Sequence, residues 1–202
     1  MTNDLIKFIA IIICFGIAVT GRNALSKRDY ALLTAAMGAT LIADFFLVIM
    51  YNYVVGVVVF CAAHVFYIVR FGNLRWLKIL PVILIVPAVF LVFQGDVLIV
   101  AAILYAQLFL MSYAAMITAL RKKTYPITNN ILIFIGMTAF VLCDICVAIW
   151  NLGRWGFIAN DDLVRLAHAA IWMFYTPAQI CLALSARKFV PALERTDELL
   201  LK

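Results

Sequence analysis

Seven apolar runs occupy most of this chain, at about 5–21, 31–50, 54–71, 76–93, 97–120, 131–150 and 164–186. Each approaches the roughly 20 residues that a helix needs to cross a hydrocarbon core. Lipid offers no partners to backbone N–H and C=O groups, so a spanning segment must satisfy them as a helix or within a closed barrel. Barrel-type alternation is missing. The expected fold is therefore all-α: a polytopic membrane helical bundle of seven transmembrane helices in a single domain, 1–187, followed by a polar cytoplasmic tail, 188–202. Short connections make consecutive helices antiparallel neighbours, and Pro81 and Pro87 suggest a kinked fourth helix. Composition closes off the soluble alternative. Of the 202 residues, 67% are hydrophobic and 13% charged, about half the charge content of a soluble domain.

The net charge of +6 is explained by its placement, not by an affinity for nucleic acid. Arg22, Lys27 and Arg28 follow the first run, and Arg70, Arg75 and Lys78 flank the turn after the third. Arg121, Lys122 and Lys123 follow the fifth, while Arg187, Lys188, Arg195 and Lys202 follow the seventh. These groups share one side of a seven-span bundle and hold 13 of the 16 Lys and Arg; only Lys7, Arg154 and Arg165 fall on the other. The positive-inside rule then puts the N-terminus outside and the C-terminus in the cytoplasm. Such a protein is integral and multi-pass, in the plasma or inner membrane if its host is bacterial.

The first run, "LIKFIAIIICFGIAVTG", lacks an A-x-A exit and reads as a retained span, not a cleaved leader. The five cysteines all stand inside apolar runs. Cys143 and Cys146 are spelled like a metal or redox pair, but no second pair completes a zinc site. They read as soft packing residues. No metal and no cofactor are called for.

Two carboxylates break the apolar pattern. "LIADFFLVIM", 41–50, places Asp44 among nine apolar residues, and "FVLCDICVAIW" places Asp144 in the sixth run. Both lie about seven residues before the outer ends of their runs, roughly 10 Å below the outer boundary at the α-helical rise. An aspartate at the centre of a membrane helix costs roughly 2.5 to 3.5 kcal/mol. Such residues face the interior and mark a path or a site. Either each carboxyl bonds a neighbouring hydroxyl or histidine and only locks helices, or the two form a common site. Equal depth favours the site. Two carboxyls held close together can keep one protonated and one ionised, and so supply a general acid and a general base.

The histidines follow the same order. His64 lies near the middle of the third run and His168 early in the seventh, so Asp then His occurs twice on consecutive helices. Helices two–three and six–seven share direction, as in a parallel repeat, but identity between the halves is slight, with matches such as Met37 to Met137 and Ala39 to Ala139. On the seventh helix His168, Trp172, Tyr175 and Gln179 share one polar face, which has no reason to meet lipid. Pro177 also frees a carbonyl near Met173. Tyr67, Tyr105 and Tyr175, taken alone, read as interface or core aromatics.

At the third helix the chain reads "GVVVFCAAHVFY", with Gly56, Phe60, His64 and Tyr67 in a G-x3-F-x3-H-x2-Y pattern. This resembles the YhhN-like membrane proteins, the lysoplasmalogenase family. "IADFFL" around Asp44 is similar to the family's Gly-Asp helix end, and "GMTAFVLCDICVAIW" around Asp144 to its Ser-Asp helix. "YTPAQICLALS" resembles its closing Y-x2-A-Q segment at Tyr175, Ala178 and Gln179. The resemblance spans most of the chain after about residue 30, and its strength is order and spacing. Ala43 stands where the family has glycine and Cys143 where it has serine. The early Lys-Pro pair is missing, with Lys7 and Phe8 nearest to it, and many members have an eighth helix.

The resemblance implies hydrolysis of the vinyl-ether bond of lysoplasmalogens by Asp44 and Asp144 without a metal. His64, Tyr67, His168, Tyr175 and Gln179 would orient a carboxyl or the polar groups of the lysophospholipid. Its partners are then that substrate and membrane lipids, with no oligomeric state specified. Several rivals can be weighed on the residues. A zinc hydrolase of the alkaline-ceramidase type calls for three histidines, and this chain has two. A retinal protein needs a lysine in the seventh helix, and none precedes Lys188 there. A proton-coupled carrier suits midplane aspartates and a repeat, and a non-catalytic lysolipid binder suits the changes at positions 43 and 143.

Overall fold

The computed structural model describes residues 2–21, 24–72, 74–92 and 96–189. Arg22, Arg195, Lys202 and most of the expected polar tail lie outside them. Within the described residues there are seven α-helices: α1 Thr2–Val19, α2 Lys27–Asp44, α3 Tyr53–Gly72, α4 Leu80–Val92, α5 Val97–Arg121, α6 Ile127–Arg154 and α7 Asp161–Leu184. Their starts are set locally. Ser26 caps α2 by accepting from Asp29 N–H, Asp96 caps α5 through Leu98 N–H, and Asn160 caps α7 through Leu163 N–H. Five helical segments are long and apolar enough to cross a membrane; α4 and the apolar part of α1, Leu5–Val19, are shorter.

The helices form a ring. α1 packs on α2 and α7, α2 on α3, α3 on α5, and α6 on α7, while α5 and α6 touch only slightly. α4 lies outside the ring against α5. Sequence neighbours are thus spatial neighbours except at α4, where α3 skips to α5. The α4 sequence, "LPVILIVPAVFLV", is apolar all round and has no face that prefers the core. Val82 is 63% and Val92 78% exposed.

Pro81 does not kink α4. It stands in the first turn, where its missing N–H has no partner to lose, and a 3₁₀ segment, Leu74–Ile79, precedes it. Pro87 lies inside the helix. α6 also outruns its apolar core at both ends. At its start Asn129 is fully buried because its amide donates to Ser185 O (2.9 Å) and Arg187 O (2.8 Å).

Two close approaches fix the register of the pairs that carry aspartates. A Cβ on Gly136 of α6 would lie 2.9 Å from Leu182 Cγ and 3.2 Å from Ala178 O of α7. A Cβ on Gly56 of α3 would meet Leu47 and come within 3.2 Å of Ala43 O. Directly after Asp44 the backbone of α2 widens into a π turn, Phe45–Ile49, closed by Met50 N–H to Phe45 O at 3.0 Å. π turns recur at functional positions.

Candidate active site

Each aspartate is held by one tyrosine hydroxyl, and the two tyrosines come from different helices. Asp44 accepts from Tyr175 Oη of α7 at 2.5 Å, and Asp144 from Tyr105 Oη of α5 at 2.7 Å. Both lengths fall in the range of O–H···O⁻ bonds. A phenol oxygen can also accept from a neutral carboxyl, so the same geometry serves either protonation state. Neither carboxyl forms an ion pair among the described residues. Asp44 is 3% exposed, whereas Asp144 is partly exposed.

An aromatic cluster joins the two pairs. Phe140, one turn before Asp144 on α6, packs 5.7 Å from the Tyr175 ring, 5.6 Å from His64 and 5.7 Å from Phe109. His64 in turn lies 5.1 Å edge-on from Tyr105. Ring contacts rather than backbone contact therefore hold Asp44 and Asp144 on either side of one cluster. Next to this cluster Lys7 of α1 sits 5.2 Å over the Trp172 ring, which packs edge-on against Tyr175 at 5.3 Å.

The other expected residues divide. His64 is fully buried, with Nδ1 3.1 Å from Ser112 Oγ. The Ser112 hydroxyl donates its proton to Phe109 O at 2.8 Å, so it accepts from His64 Nδ1–H and leaves Nε2 as the ring's acceptor. Tyr67 is fully buried one level further along, its hydroxyl 3.6 Å from Met37 Sδ and its ring stacked on Phe71. Gln179 is fully buried one turn beyond Tyr175.

His168 is not brought to either aspartate. It is exposed and stacks on Trp150 at 4.8 Å, because the polar stripe of α7 leaves the interior above Trp172. The Asp–His order therefore builds no duplicated site. One histidine is in the core and the other at the surface, and the two aspartates take partners from unrelated helices.

Tyr105, which by sequence alone reads as a packing aromatic, is the partner of Asp144. Its signal was the face it shares with Phe109 and Ser112, at i, i+4 and i+7. Arg70, by sequence a topology signal, has a structural role as well. It is 4% exposed and forms a two-point ion pair with Asp29, at 2.9 and 3.0 Å, plus a bond to Ser185 Oγ at 3.0 Å. Tyr125 Oη adds a 2.8 Å bond to Asp29. This lock ties α2, α3 and the start of α6 to the end of α7, at the end of the bundle opposite the aspartates.

All five cysteines are free, and no group of three or more metal-ligating side chains occurs among the described residues. The family model described as the YhhN family matches residues 2–186. No curated protein and no solved structure matches the chain.

Proposed function

The chain belongs to the YhhN family, and from that premise we propose that it is a multi-pass membrane hydrolase that cleaves the vinyl-ether bond of lysoplasmalogens. In this reading all seven helices cross the membrane, with the N-terminus outside and the basic loops in the cytoplasm. Asp44 and Asp144 then lie in the outer half of the bundle. The observation that carries the reading is the pair of carboxyls, each bound by a single tyrosine hydroxyl and joined through the rings of Phe140 and His64.

The chemistry needs an acid and a carboxylate. The protonated aspartate gives its proton to the vinyl carbon remote from oxygen, and the alkene electrons form the new C–H bond. This leaves an oxocarbenium ion, which the ionised aspartate stabilises. Water adds to the carbon next to oxygen and passes a proton to that carboxylate. As the hemiacetal breaks its C–O bond to the glycerol, its hydroxyl returns a proton to the first aspartate and the glycerol oxygen takes the proton held by the second, releasing a fatty aldehyde and a glycerophospho-alcohol with both carboxyls restored. Glycosidases meet an oxocarbenium transition state with two carboxyl groups too. Tyr105 and Tyr175 fix the carboxyl orientations and donate to whichever is charged. No step requires a metal.

Aldehyde release from a lysoplasmalogen by the purified protein in detergent, beside Asp44→Asn and Asp144→Asn, tests the proposal. Asn preserves size but can neither supply an acidic proton nor carry charge. Activity lost in both folded variants is the expected result. Full activity in either variant, or no aldehyde from the wild type across several vinyl-ether lysolipids, rejects it. A carrier would show nothing in detergent and would need a sealed vesicle and a gradient.

A further inference from the structure

Beneath the aspartates lies a second buried polar layer. Thr40, His64 and Gln179 are each 0% exposed, and Thr40 Oγ1, His64 Nε2 and both amide atoms of Gln179 have no hydrogen-bond partner among the described residues. Buried polar atoms without partners are rare and costly, and each calls for an occupant or a function.

Helix register puts the three on one level. α2 runs antiparallel to α3, since Asp29 pairs with Arg70 and Met37 with Tyr67. His64, three residues before Tyr67, is therefore level with Thr40, three residues after Met37. α2 is also antiparallel to α7, since Asp44 bonds Tyr175 while Arg70, the partner of Asp29, bonds Ser185. Gln179, one turn after Tyr175, is then level with Thr40, one turn before Asp44. The layer lies roughly 6 Å below the Asp44–Tyr175 bond, the rise of four helical residues.

The donor and acceptor inventory defines what fits. His64 Nε2 needs a donor, the Gln179 amide needs one acceptor and one donor, and Thr40 can do either. None of the three is charged, so the layer is not built for a phosphate. We propose that Thr40, His64 and Gln179 bind a neutral hydroxyl group that donates and accepts at once: a water, or the free hydroxyl on the glycerol of the lysolipid. This assignment rests on the hydrolase reading, and it makes Thr40 a binding residue alongside the two polar residues of the motifs. A water held there supplies the molecule that the reaction consumes. A substrate hydroxyl held there sets the vinyl ether one helical turn away, beside the aspartates.

The test compares Thr40→Val and Gln179→Met with the wild type. Turnover is measured on a lysoplasmalogen and on its analogue lacking the glycerol hydroxyl, and melting temperature on the unliganded protein. Each variant is expected to lower kcat/KM by roughly tenfold or more, the usual consequence of removing a buried hydrogen-bonding partner. A loss of equal size on both substrates identifies water as the occupant. A loss confined to the hydroxylated substrate identifies the lysolipid. Unchanged turnover in both variants together with raised melting temperatures overturns the proposal, because the polar atoms were then merely stranded in a dry core. A wild type that releases no aldehyde refutes the hydrolase reading separately. Melting then decides the site: a lower temperature in both variants supports a bound water, and a higher one overturns it.

Discussion

Replacing Arg70 by methionine removes a buried guanidinium while keeping the length of its apolar stem. Three bonds are lost: two to Asp29, at 2.9 and 3.0 Å, and one to Ser185 Oγ at 3.0 Å. Asp29, 8% exposed, is left with the Tyr125 hydroxyl as its remaining side-chain partner among the described residues. Removing one member of a buried pair costs about 3–5 kcal/mol, chiefly because the other charge stays buried and uncompensated. The single variants Arg70→Met and Asp29→Leu are both expected in that range. The double variant strands no charge, and replacing a whole buried pair by apolar side chains is often near neutral. Its loss is therefore expected to fall short of the sum of the singles by about 2 kcal/mol or more, measured as a double-mutant cycle by reversible unfolding in mixed micelles. Singles within about 0.5 kcal/mol of the wild type, the range of ordinary surface substitutions, would refute the lock. So would strict additivity in the double variant. Arg70 would then act only as a topology signal.

Three further outcomes follow from the geometry. Tyr175→Phe and Tyr105→Phe each delete one hydrogen bond to a carboxyl, worth roughly 1.5–3 kcal/mol when the acceptor is charged. Aldehyde turnover is expected to fall about 10- to 150-fold in each, and undiminished turnover in both would reduce the phenols to packing groups. Gly136→Ala gains about 1 kcal/mol of helix propensity. It also forces a methyl to 2.9 Å from Leu182 Cγ and 3.2 Å from Ala178 O, so the net effect is expected to be a loss of about 1–2 kcal/mol, read by the same micellar unfolding. His168→Ala, at an exposed position stacked on Trp150, is expected to retain turnover within about twofold, and a large loss would return His168 to the site.

The amino-acid sequence alone determined that this chain forms apolar helices, where most of them lie, and that two carboxyls sit inside them. The reason is one-dimensional: apolar run length, the caps at Ser26, Asp96 and Asn160, and the cost of an ionisable group in an apolar run are properties of local sequence. The motifs around His64 and Tyr175 also carried the family. Packing decided the rest. α4 left the ring because a helix apolar on every side has no preferred face, and Pro81 became a helix start because its position in the first turn is harmless. Arg70 and Asp29, 41 residues apart, became a buried pair, and Tyr105 met Asp144 across 39 residues. His64 and His168, alike by position in the sequence, ended one in the core and one at the surface. Which side chains meet depends on how helices rotate and cross, and those angles are set by the summed fit of many side chains rather than by any spacing along one of them.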